Sequence, residues 1–141
     1  MRIMGLDIGE KTIGVALSDP LGWTAQGLTT LQRRGNLEED ISRIQELVEE
    51  YQVDKVVVGY PRNMDGSSGP QAARAENFAV LLKEKVKIPV ILWDERLSTV
   101  AAERTLLEAD LSRRKRKKVI DRVAAALILQ GYLYYEEKRK K

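Results

Sequence analysis

Residues 1–20, MRIMGLDIGEKTIGVALSDP, govern how the rest of the chain is read. Two apolar runs, Arg2 to Ile8 and Thr12 to Asp19, flank Gly9-Glu10-Lys11, the pattern of a β-hairpin. Side chains alternate across a strand, so Met4, Leu6 and Ile8 share one face while Ile3, Gly5 and Asp7 share the other. Asp7 is a carboxylate near the end of an otherwise apolar strand, beside a glycine that cannot crowd it. On the facing strand, Gly14, Ala16 and Ser18 form a face of small residues, which leaves room above Asp7 for something other than protein. An aspartate here also starts turns by bonding its own backbone, so the hairpin alone does not make Asp7 functional.

The 141 residues suit one domain, 1–141, able to bury a single sheet with its helices. A hydrophobic content of 43% with 32% charged residues describes a globular chain, and no apolar run approaches the roughly 20 residues of a membrane span. Met1-Arg2-Ile3 leads straight into a strand and leaves no room for a secretory signal, so a cytoplasmic protein is expected. There is no cysteine and no histidine, which removes disulfides, Cys/His zinc sites, thiol nucleophiles and imidazole catalysis. Any chemistry must come from carboxylates, hydroxyls, Lys, Arg or a hard metal ion. The net charge is +3, but Arg113 to Lys118 are six consecutive cations and Lys138 to Lys141 are four. Such clustering points to a polyanionic partner, although a solvated charged face produces the same pattern.

Outward from the hairpin, Trp23 to Leu31 is rich in Thr and predicts a third strand, antiparallel to the second. Asn36 with Glu39 matches a capping box, and Leu37, Ile41, Ile44, Val48 and Tyr51 recur at helical spacing, predicting a helix over 37–51 with an acidic outer face. Lys55 to Tyr60 (KVVVGY) has the unbroken apolar run of a central strand covered on both faces. The Gly/Ser loop over 61–69 then leads into a helix opened by Pro70, with Ala75, Phe78, Ala79, Leu82 and Val86 on one side. A loop entering a helix N-terminus is a reasonable phosphate contact, with Arg62 and Asn63 its best candidates, but it lacks both standard glycine fingerprints and also reads as an ordinary connection.

Pro89 to Trp93 predicts a fifth strand, with Asp94-Glu95-Arg96 just past its end, where open α/β sheets bind ligands. Alternation sends Asp94 and Glu95 to opposite sides, so only one faces Asp7; Glu95 also reads as a simple anion preceding a helix capped near Ser98 or Thr99. In the last helix Ile120, Val123, Ala124, Leu127, Ile128 and Gly131 form an apolar stripe, with Asp121 at its margin beside Ile128. The alanines at 124–126 thin this helix and allow close approach to the sheet. Asp121 also reads as a helix-start residue offsetting the dipole, or as a partner for the adjacent cations.

Carboxylates from three separate elements, without His or Cys, suit Mg²⁺ or Mn²⁺, which take oxygen ligands. Two such ions drive in-line displacement at a phosphodiester, and the basic run would hold the polyanion independently of its sequence. The segments GLDIGEKTIGVALSD, VVVGYPRNMDGSSG, WDERLST and KKVIDRVAAALILQGYL, together and in this order, resemble the YqgF/RuvX family of ribonuclease H-like proteins over nearly the whole chain. The resemblance implies an α/β ribonuclease H-like fold: a mixed five-stranded sheet, an antiparallel three-stranded meander followed by parallel strands, with helices on both faces. It also implies an acidic triad on Asp7, Glu95 and Asp121, choosing Glu95 over Asp94. The implied activity is a nuclease maturing the 5′ end of precursor 16S ribosomal RNA, or a Holliday junction resolvase acting on branched DNA.

On this reading Asp7 and Asp121 hold metal, Glu95 is a third ligand or a water-positioning base, and Arg62, Asn63, Arg96, Lys115 and Lys117 contact phosphates. Two other classes compete. One is a nucleic-acid-binding scaffold that keeps the acids without hydrolysis. The other starts from Gly5-Leu6-Asp7-Ile8-Gly9, which also opens actin-like and sugar-kinase ATP-binding domains, but those need a second domain of similar size.

Overall fold

A computed structural model describes residues 1–61, 65–95 and 113–139, the side chains of 113–121 excepted. The hairpin forms as β1 (Ile3–Ile8) and β2 (Thr12–Ser18), antiparallel, with Asp7 opposite Gly14. Its turn is closed by the Gly9 N–H donating to the Thr12 carbonyl at 2.8 Å. The third strand, β3 (Ala25–Gln32), starts two residues later than Trp23 because Asp19 to Thr24 form the connecting turn: the Asp19 carboxylate accepts from the Trp23 and Thr24 amides at 2.6 and 3.1 Å. Its pairing with β2 carries a register shift between Val15 and Ala16.

Helix α1 (Leu37–Glu50) is capped by Asn36, whose Oδ1 accepts from the Glu39 amide at 3.2 Å. Strand β4 (Lys55–Tyr60) runs parallel to β1, helix α2 (Pro70–Lys85) returns across the sheet, and β5 (Val90–Asp94) runs parallel to β4. The chain closes with α3 (Arg113–Arg139). The five strands stand in the order β3-β2-β1-β4-β5, so β1 is central and the meander precedes the parallel strands as expected.

Each face of the sheet has its own core. Met4, Leu6 and Ile8 pack with Val56 and Val58 against Ile41 and Ile44 of α1 and Phe78 and Leu82 of α2. On the other face Ile3, Ala16, Val57 and Trp93 pack against Ala125, Ile128, Leu129 and Tyr132 of α3. The alternation read from β1 is therefore the division between the two cores, and Asp7 lies on the α3 side.

Helix α3 sits unusually close to the sheet because it lies on three glycines. A Cβ on Gly27 would stand 3.1 Å from the Arg122 carbonyl, one on Gly5 would stand 2.7 Å from Leu129 Cβ, and one on Gly59 would stand 2.5 Å from Ile128 Cδ1. The three glycines belong to β3, β1 and β4, so the helix crosses the sheet, and its later residues Tyr132 and Leu133 reach Ile3 at the start of β1. Its earlier turns therefore lie toward the carboxyl ends of β1 and β4. Among the described residues no helix is long and apolar enough to cross a membrane.

Candidate active site

Asp7, Gly59 and Glu95 stand at the carboxyl ends of β1, β4 and β5, on the face that carries α3. Pairing of β1 with β4 runs to Leu6 opposite Val58, so Asp7 and Gly59 are each the next residue along. Strands lie about 4.8 Å apart, which puts β5 about 10 Å from β1, too far for neighbouring carboxylates unless one leans across. Glu95 does lean: an added Cβ on Gly59 would lie 3.1 Å from Glu95 Oε2, so the carboxylate occupies the space above the glycine. It is buried, 8% exposed, whereas Asp7 is half-buried. Alternation along β5 continues from Ile91 and Trp93, both on the α3 side, to Glu95, so Glu95 rather than Asp94 shares the face of Asp7.

Asp121 is a backbone position of α3, and its side chain lies outside the described residues. The stripe read from sequence is displaced: the residues buried on the sheet are Ala124, Ala125, Ile128, Leu129, Tyr132 and Leu133, while Val123, Leu127 and Gly131 are half-buried. Over Gly5 stand Leu129 Cβ and the Ala125 carbonyl, so this glycine seats the helix beside Asp7.

Arg62, Asn63 and Arg96 lie outside the described residues, as do the helix start expected near Ser98 or Thr99 and the side chains of Lys115 and Lys117. The backbone of Arg113 to Lys118 forms the first turns of α3. Among the described residues no three acidic groups stand close enough to hold a metal ion. One concavity, lined by Met1, Leu21, Trp23, Lys55 and Tyr132, lies at the opposite end of α3, away from Asp7 and Glu95.

Sequence reading missed Asp40. It is 2% exposed and paired with Arg33 at 3.0 Å, on the α1 side of the sheet. The signal was present: Asp40 stands three residues after Leu37 and four before Ile44, within the stripe that α1 buries.

A family model described as "Holliday junction resolvase", that of RuvX, matches residues 1–135. The chain belongs to the RuvX family. A relative from Moorella thermoacetica named "Putative pre-16S rRNA nuclease" is 66% identical over 133 residues, covering 94% of each chain. Another of the same name, from Desulforamulus reducens, is 59% identical over 133 residues and covers 94% of this chain and 96% of its own. Among solved structures, Thermus thermophilus RuvC in complex with a Holliday junction substrate aligns over 96% of both chains, with a TM-score of 0.62 and 14% identity. That likeness identifies the fold of this RuvX family member as ribonuclease H-like.

Proposed function

We propose that this chain, over 1–141, is a single metal-dependent nuclease domain that hydrolyses phosphodiester bonds of structured nucleic acid in the cytoplasm, and that its substrate is precursor 16S ribosomal RNA, processed at the 5′ end. The observation that carries this reading is the carboxylate of Glu95 leaning over Gly59 toward the strand of Asp7, on the face crossed by α3. The third acid would be Asp121, in the turn of α3 that precedes Ala125, whose carbonyl stands over Gly5. The names of the relatives supply the RNA substrate.

The donor set fits Mg²⁺ or Mn²⁺: oxygen ligands alone, on elements made rigid by a central strand and a seated helix. Asp7 and Asp121 would be ligands and Glu95 a third ligand or a base. When bound, the ions would supply water activation and charge stabilisation at the leaving oxygen. Glu95, buried and held over Gly59, would accept the proton of the attacking water on a carboxylate oxygen. Lys115 and Lys117, with Arg62, Asn63 and Arg96, would hold phosphates on either side of the scissile bond, by charge and without reading bases.

A cleavage screen of precursor 16S RNA and of four-way DNA junctions in Mg²⁺ and Mn²⁺ tests the proposal, with Asp7→Asn beside the wild type. Metal-dependent cleavage of the RNA that Asp7→Asn abolishes is the expected result. Preference for the junction would favour the resolvase reading, which the family description carries. Tight binding of nucleic acid by both proteins with cleavage by neither would leave a non-catalytic scaffold. Equal cleavage by both would remove Asp7 from the mechanism.

A further inference from the structure

Two residues past Asp7, β1 turns at Gly9 into β2, and this turn is tied to groups outside the hairpin. Arg33, just past β3, donates from its guanidinium to the Gly9 carbonyl at 2.8 Å, and its backbone N–H donates to the Lys11 carbonyl at 2.8 Å. The same guanidinium donates through Nε to Asp40 Oδ2 at 3.0 Å and lies 6.0 Å from the ring centroid of Phe78. One side chain thus ties the β1–β2 turn to α1 and α2.

The pair is expensive to bury. Asp40 is 2% exposed, and its Oδ1 is buried without a hydrogen-bond partner among the described residues. A buried ion pair is rarely the most stabilising choice for such a volume, since apolar residues of similar size do as well or better. What an apolar pair cannot supply is the bond to Gly9, two residues beyond Asp7.

We propose that Arg33 and Asp40 are a positioning pair: Asp40 orients the Arg33 guanidinium, which clamps the Gly9 carbonyl and fixes the end of β1 that presents Asp7. This rests on the nuclease reading, in which Asp7 is a metal ligand. Groups that hydrogen-bond a metal ligand directly change metal affinity by about 10–100-fold without touching the ion, and a group acting through the backbone two residues away falls at or below the lower end of that range.

The test uses the full chain, calorimetric titration with Mn²⁺ alone, and cleavage kinetics on precursor RNA. The double variant Arg33→Met with Asp40→Leu should melt within a few degrees of the wild type, bind Mn²⁺ up to about 10-fold more weakly, and lose kcat at unchanged KM. Arg33→Lys keeps the charge beside Asp40 but cannot bridge to Gly9 at the same time, so it should share the loss. It also decides the matter if the double variant fails to fold. Wild-type Mn²⁺ affinity and kcat in either variant would overturn the positioning role while leaving the nuclease reading intact. A wild type that neither binds Mn²⁺ nor cleaves would overturn both.

Discussion

Gly5 and Gly59 lie on the same face of the sheet, yet a methyl group added to each meets a different obstacle. At Gly5 it meets Leu129 Cβ and the Ala125 carbonyl, atoms fixed by the helix backbone, so α3 itself must move. Gly5→Ala should therefore destabilise the fold by about 1–3 kcal/mol, the usual effect of overpacking, read as a lower melting temperature. At Gly59 the methyl meets Ile128 Cδ1, the far end of a flexible side chain, and the Glu95 carboxylate. Gly59→Ala should lower the melting temperature as well, because Ile128 is fully buried, and if Glu95 acts as proposed it should also lower kcat by about 10–100-fold, the usual effect of displacing a reacting group by about 1 Å. Asp19 supplies a second residue-scale prediction. The Thr24 and Trp23 amides donate to its carboxylate and hold it below its ordinary value of 3.8. A lowered folded value means that the charged carboxylate stabilises the turn above that ordinary value and loses this effect as pH falls through the folded one. Thermal melts from pH 7 down to pH 2 should show the wild type's advantage over Asp19→Asn shrinking only below about pH 4.

At the scale of elements, α3 begins against its own electrostatics. The N-terminus of a helix carries partial positive charge and favours anions, yet the first turns are Arg113 to Lys118 with no acid among them. Such a start weakens the helix unless a polyanion lies beside it, in keeping with the phosphate contacts proposed for Lys115 and Lys117. Reversing both charges, Lys115→Glu with Lys117→Glu, should weaken nucleic-acid binding and flatten the logarithmic salt dependence by about two counterions. The same variant should melt at or above the wild-type temperature, because acids suit that end of the helix. Binding titrations at several salt concentrations measure the slope, and an unchanged slope would remove the basic run from the binding surface. Helix α1 shows the complementary case: Asn36 and three acids in its first turn follow the dipole, and its boundaries are close to those read from sequence.

For the whole molecule, two cores share one sheet, and β1 contributes alternate residues to both. Disrupting either core removes support from the other, so unfolding should be a single transition. Trp93 is buried beside Tyr132 and Trp23 is 74% exposed, so Trp23→Phe leaves Trp93 as the reporter of the α3 core. Its fluorescence and far-ultraviolet circular dichroism should give coincident urea transitions; two separated midpoints would mean that α3 and its face unfold on their own.

Legibility in the sequence follows from how local each feature is. The hairpin, the capped α1, the strand KVVVGY and the placing of Asp7 all depend on period-2 or period-3.6 patterns within a few residues, and the chain alone determined them. The buried line of α3 was misread by one residue because apolar side chains surround most of its circumference, and only contact with Gly5, Gly27 and Gly59 selects which ones face the sheet. Asp40 was passed over because a lone acid in an acidic helix looks solvated until Arg33 arrives from another element. Alternation alone left open whether Asp94 or Glu95 shares a face with Asp7, and the packing of Ile91 and Trp93 on the α3 side is what assigns that face to Glu95. Tertiary structure decided these last points, since each depends on groups far apart in the chain whose distance no local periodicity encodes.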